Sequence, residues 1–118
     1  MLADELAGKA ETLGEVKLIK LTECEDAAML REAALALQKS QVGTALVAAY
    51  QIDGKPSLVL MYSADLVAAG KNAGKDIRNA AKFIMGGGGG QPGFASAGGK
   101  NPEGLSDALN ALIEAVKA

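Results

Sequence analysis

At 118 residues, 49% of them hydrophobic but only 3% aromatic, the chain has room for one domain whose core is built from Leu, Ile, Val and Ala. No run approaches 18 uninterrupted apolar residues and no charged-then-apolar leader opens the chain, so a cytoplasmic protein without a membrane partner is expected. With no histidine and one cysteine, Cys24, a disulfide framework, a zinc site and His-dependent catalysis are all disfavoured.

Residues 2–13 place Leu2, Leu6 and Leu13 on a sparse helical stripe that stops at Gly14, which predicts a short capping helix or the end of a longer one. Val16–Leu21 is a short apolar strand. Thr22 with Glu25 forms a capping-box pattern that opens a helix through about Gln38, with Ala27, Leu30, Ala34 and Leu37 as its buried stripe. Thr44–Ile52 and Ser57–Tyr62 are nearly continuous apolar runs around an Asp53-Gly54 turn. That pattern predicts a hairpin of central strands covered on both faces. A helix from Lys71 or Lys75 to Met85 follows. Past the glycine-rich stretch, Asn101-Pro102 supplies an N-cap and first-turn proline for a last helix with Leu105, Leu109, Leu112 and Val116 on one stripe. The result is a small α/β domain with a mixed sheet of three to five strands, residues 15–118, preceded by a helical stub, residues 1–14.

Net charge is −2, but its distribution is uneven. Residues 1–70 hold six Lys/Arg against ten Asp/Glu. Residues 71–100 hold Lys71, Lys75, Arg78, Lys82 and Lys100 against Asp76 alone. On a 3.6-residue helix the first four cations fall within about 60° of one another, opposite Ala73, Ile77, Ala80, Ala81 and Ile84. The core would therefore aim them outward, either as a solvated face or as a rail for phosphates.

The run Gly86-Gly87-Gly88-Gly89-Gly90 cannot pack a core, and it is costly to order. Met85 before it and Gln91, Pro92 and Phe94 after it distinguish it from a featureless linker and predict an ordered contact loop. Gly88-x-Gly90-x-x-Gly93 satisfies a dinucleotide fingerprint, but it follows a helix, and Pro92 interrupts it where a helix should begin. A P-loop fails as well, because Asn101 follows Gly99-Lys100. Two readings remain: close approach of bare main chain to a sugar-phosphate surface, or a tight glycine crossing under the sheet. Phe94 could stack on a base or pin the loop to the core. Cys24 reads as a small filler, and neither Asp53 nor Asp65 has a partner spaced for acid–base work. No catalytic constellation can be assembled.

The block Gly86 to Pro92, then Ala95-x-Ala97-Gly98-Gly99-Lys100, then Leu105 and Ala108-Leu109, resembles the carboxyl-terminal (C-Ala) domain of alanyl-tRNA synthetases, of the DHHA1 superfamily. Leu30-Arg31, Ser63-x-Asp65-Leu66 and Ala73-Gly74 extend the match to roughly residues 16–117. The resemblance implies a DHHA1-like fold and a non-catalytic module that holds the body of alanine tRNA, helping couple aminoacylation to editing in the parent ligase. It implies no cofactor in this chain, since ATP and zinc belong to other domains of such an enzyme. Those other domains are implied partners, and residues 1–14 would be a remnant of a helical segment that contributes to dimerisation.

The expected RNA contacts are Lys71, Lys75, Arg78, Lys82, Gly86, Gly87, Gly88, Gly89, Gly90, Gln91, Phe94, Ser96, Gly98, Gly99, Lys100 and Asn101. Gln91 stands where the family usually has arginine, and where related DHH phosphoesterases have histidine; Gly93 replaces a frequent polar residue. Rival readings are the substrate-binding domain of a DHH-type phosphoesterase acting on nucleotides or single strands, and a dimerisation module built on Leu2, Leu6 and Leu13.

Overall fold

The structure, a computed structural model, describes residues 2–117, with side chains from Glu5 onward. Helix α1 (Leu2–Ala7) leads into strands β1 (Glu11–Leu13) and β2 (Val16–Leu21), helix α2 (Ala27–Ser40), and strands β3 (Thr44–Ile52) and β4 (Lys55–Tyr62). Helices α3 (Ala64–Ala68) and α4 (Ala73–Ala81), strands β5 (Gly87–Gly90) and β6 (Phe94–Gly98), and helix α5 (Leu105–Lys117) complete the chain. The strands form one mixed sheet in the order β1-β2-β3-β4-β6-β5, in which only β2 and β3 run parallel.

The central hairpin follows from its sequence. Asp53 and Gly54 both take positive φ (53° and 78°), the twist-matched two-residue turn that an Asp-Gly pair favours. β3 alternates between two cores: Ala45, Val47 and Ala49 pack under α4 and α5, and Leu46, Ala48 and Tyr50 pack under α1 and α2. Burial on both faces explains why neither central strand shows polar alternation.

The sheet has six strands rather than three to five, because both edges come from segments whose composition hides them. The helix expected over 2–13 ends at Ala7, and Glu11–Leu13 turns back through Gly14 (φ +65°) to pair with β2. Leu6 is buried beside α2, whereas Leu13 packs against the opposite core, so the two do not share a stripe. The side chain of Leu2 lies outside the described residues. At the other edge, the glycine run itself becomes β5.

Helix boundaries shift for local reasons. Asp26, not Thr22, caps α2: its Oδ1 accepts the N–H groups of Ala28 and Met29 at 3.0 and 3.2 Å. The buried stripe is Leu30, Ala33, Ala34 and Leu37, with Ala27 exposed in the first turn. Asn101-Pro102 opens a 3-10 turn rather than α5, and the Asn101 amide donates to the Phe83 carbonyl oxygen at 3.4 Å instead of capping. In α5, Ala108, Leu112 and Val116 are buried, while Leu105 and Leu109 are partly covered.

Candidate nucleic-acid interface

Helix α4 is held at its N-terminal end and along its buried side. Asn72 accepts the Lys75 N–H at 3.1 Å, and the Ala73 N–H donates to the Pro92 carbonyl oxygen at 2.8 Å. Ala73, Gly74, Ile77, Ala80 and Ala81 face the core. Asp76 faces inward too, and accepts the buried Tyr62 hydroxyl at 2.6 Å. Burial, then the bond and charge of Asp76, push the Tyr62 hydroxyl's pKa far above its ordinary value, so it stays protonated.

That arrangement leaves Lys75, Arg78 and Lys82 exposed. None of the three makes an ion pair with a described residue; the pair found among those residues is Lys117–Glu114, at 3.4 Å. The one acid within the basic stretch is thus occupied by Tyr62, and the row presents positive charge to solvent.

Lys71 is not on this row. It lies before the Asn72 cap, and its Nζ donates to the Ala115 carbonyl oxygen at 2.9 Å, 5.9 Å from the centre of the Tyr62 ring. Its ammonium stabilises the end of α5.

The glycine segment is an edge hairpin rather than a loop. β5 pairs antiparallel with β6 from Gly87↔Gly98 to Gly90↔Ala95, and only Gln91-Pro92-Gly93 forms the connection. The Gln91 N–H donates to the Phe94 carbonyl oxygen at 2.8 Å, and the Phe94 N–H returns to Gln91 at 3.3 Å. Part of the run is glycine for packing reasons. A Cβ on Gly86 or Gly88 would enter the backbone of β6 and its exit, and one on Gly90 would sit 2.7 Å from the Ala95 Cα. A Cβ on Gly74 of α4 would lie 2.8 Å from the Gly90 carbonyl oxygen, so helix and strand cross as bare backbone.

Gly87 and Gly89 differ. Nothing lies within 4 Å of a Cβ on Gly87, and a Cβ on Gly89 would touch the Arg78 guanidinium at 3.6–3.7 Å. Because β5 is a sheet edge, alternate N–H and C=O groups along it face away from β6. The cation row and this bare edge are therefore neighbours, joined where Arg78 lies against Gly89.

The remaining expected contacts separate. Phe94 is half-buried against the α2-side core, with the Arg31 guanidinium 5.5 Å from its ring centre, which is an anchoring position. Gln91 and Phe94 line a depression with Arg31, Leu35 and Gln38, and neither Lys75 nor Lys82 lines it. Ser96 and Gly98 are exposed on β6. Gly99 is glycine because a Cβ would strike the Ile84 carbonyl, which also accepts the N–H groups of Lys100 and Asn101 at 2.8 and 2.9 Å. Those bonds leave the Lys100 side chain exposed beside Gly86 and Gly87. Lys55 lines the same depression. Only the pairing of Ser57 with Gly98 brings it there, and nothing local in the sequence marks it.

Among the described residues no three Cys, Asp or Glu side chains gather as a metal would require, and no helix is long and apolar enough to cross a membrane.

The DHHA1 domain family model matches residues 16–118. The chain belongs to the DHHA1 domain family. It is 42% identical over 116 residues to an alanine–tRNA ligase of Parabacteroides distasonis, covering 98% of this chain and 13% of that protein. An alanine–tRNA ligase of Bacteroides thetaiotaomicron is 39% identical over 114 residues, with 96% and 13% covered. The chain thus spans about an eighth of the length of the curated relatives it matches. Among solved structures, the C-Ala domain from Aquifex aeolicus alanyl-tRNA synthetase superposes with a TM-score of 0.79 at 28% identity, covering 93% of this chain and 99% of that one. The six-stranded α/β architecture is therefore the C-Ala fold, and the resemblance read from the glycine block holds along nearly the whole chain.

Proposed function

We propose that this chain is the tRNA-binding domain of an alanine–tRNA ligase, non-catalytic in itself, which holds the body of alanine tRNA in the cytoplasm while other domains of the ligase act on the acceptor end. The observation that carries the reading is the row Lys75, Arg78 and Lys82, free of carboxylate partners among the described residues, running beside the side-chain-free edge strand β5. A polyanion gains from releasing counterions at such a row, and a glycine edge lets its backbone approach closely. Keeping one tRNA engaged would also help couple charging to editing, since both would work on a substrate that does not leave. Dimerisation through the N-terminal helix would need residues other than Leu6, which is 2% exposed within its own core.

Filter binding of alanine tRNA tests the proposal. Lys75→Glu with Arg78→Glu should weaken binding more than tenfold and lower the slope of log K against log salt by about 2. An unchanged isotherm for that double variant would remove the row from the interface.

A further inference from the structure

The open depression at the exit of β6 has a composition the cation row does not explain. Lys55, Lys100 and Met85 line it together with Pro56 and Ser57, over a floor of glycine main chain from Gly86, Gly87, Gly98 and Gly99, around a volume of about 520 Å3. Both lysines are exposed, and neither pairs with a described acid. Met85 is 69% exposed, held outward by a left-handed backbone (φ 53°) that closes the 3-10 turn after α4.

Two of the floor's four amides are already committed. The Gly86 N–H donates to the Ala81 carbonyl oxygen at 3.0 Å and the Gly99 N–H to Pro56 at 3.1 Å, while Gly98 sits in register with Ser57 on one side and Gly87 on the other. Those two donors are closed to a phosphate. What the floor offers is glycine main chain between two cations, beside Pro56 and Ser57, with a polarisable thioether at the edge.

A planar group flanked by negative charge fits that description. We infer that this depression is a nucleotide subsite for RNA: one base or base pair lies on the glycine floor against Met85, and the flanking phosphates meet Lys55 and Lys100. The subsite rests on the RNA-binding reading above and extends it to Lys55 and Met85. It also explains why Gly87 and Gly98 are glycines. A Cβ on Gly87 meets nothing within 4 Å, and one on Gly98 meets only the Pro56 carbonyl oxygen at 4.0 Å, so packing within the chain does not demand a bare position at either.

Three variants separate the parts, measured by alanine-tRNA binding across a salt series, with urea unfolding as the control for folding. Lys55→Gln with Lys100→Gln should lower the salt slope by about 1.4–1.8, from two lost phosphate contacts. Gly98→Val should fill the floor, weakening binding roughly tenfold while the slope stays unchanged, as expected for lost stacking rather than lost charge. Met85→Ala should weaken binding a few-fold, again without a change of slope. Wild-type slope and affinity in the double lysine variant would overturn the subsite while leaving the α4 row intact. Wild-type affinity in a folded Gly98→Val protein would overturn the base contact. Failure of the unaltered chain to bind tRNA would bring down the RNA reading and the subsite together.

Discussion

Adjacent glycines in β5 should respond to alanine in opposite directions. At Gly88 a Cβ would lie 2.5 Å from both the Cα and the Cβ of Ala97 and would press on the Ser96 carbonyl. Carbon atoms rest about 3.5–4.0 Å apart, so the strand would have to move more than 1 Å from β6. Such overpacking costs about 1–3 kcal/mol, and each ladder hydrogen bond loosened adds about 1 kcal/mol. Gly88→Ala should therefore destabilise the domain by about 2–4 kcal/mol.

At Gly87 no atom lies within 4 Å of a Cβ and φ is outside the left-handed region. Gly87→Ala should be neutral, or stabilising by about 0.4–1 kcal/mol, through the lower entropy of the unfolded chain. Urea unfolding followed by far-ultraviolet circular dichroism separates the two cases. With an m-value of about 2 kcal/mol per molar, the Gly88 midpoint should fall by about 1–2 M while that of Gly87 holds or rises. Equal losses at both positions would refute the packing account and return the whole run to an interchangeable flexible segment. Gly89→Ala adds a third arm: it should fold normally yet weaken tRNA binding, because the new methyl group occupies the surface against which Arg78 lies.

Tyr62→Phe removes the hydroxyl that holds Asp76. It should cost about 1.5–3 kcal/mol, as for a hydrogen bond to a charged group, read as a lower urea midpoint. In the wild-type protein the same hydroxyl has a folded pKa raised above its unfolded value. Its contribution should therefore be complete below about pH 10 and decline above it, where the unfolded chain releases the proton first, as pH-dependent unfolding would record. Asp65 behaves oppositely. The Ser63 hydroxyl at 2.6 Å holds its carboxyl below the usual carboxylate range, opposed next by burial and helped to a lesser degree by the Gly43 N–H. Its stabilisation should be present above about pH 4 and fade as pH falls through the lowered value, so the gap between wild type and Asp65→Asn should close in acid. Phe94→Ala should lower stability by about 1–3 kcal/mol, since the ring is only half-buried, while leaving the affinity of the folded protein for tRNA within about twofold. A large affinity loss with unchanged stability would restore Phe94 as a stacking residue.

Local chemistry sufficed for the central hairpin, the roll of α4 and the sign of its outer face. An Asp-Gly pair between apolar runs has few other conformations open to it, and Ile77 with its alanine neighbours fixes which way Lys75, Arg78 and Lys82 point. The glycine block likewise carried the family resemblance, because its length and its spacing to Ala95 and Lys100 are rare. The two sheet edges were not legible. Glu11–Leu13 has too few residues to show a period, and glycine has no side chain by which a strand could announce itself; each became a strand only because a neighbour offered a ladder. Long-range register also decided which residues meet. Pairing of Ser57 with Gly98 carries Lys55 to Lys100 across more than 40 positions of chain. Packing removed Lys71 to the end of α5 and turned Phe94 under Arg31. The sequence by itself set the charge and the bare backbone, whereas their juxtaposition at one edge arose from the order in which six strands lie side by side.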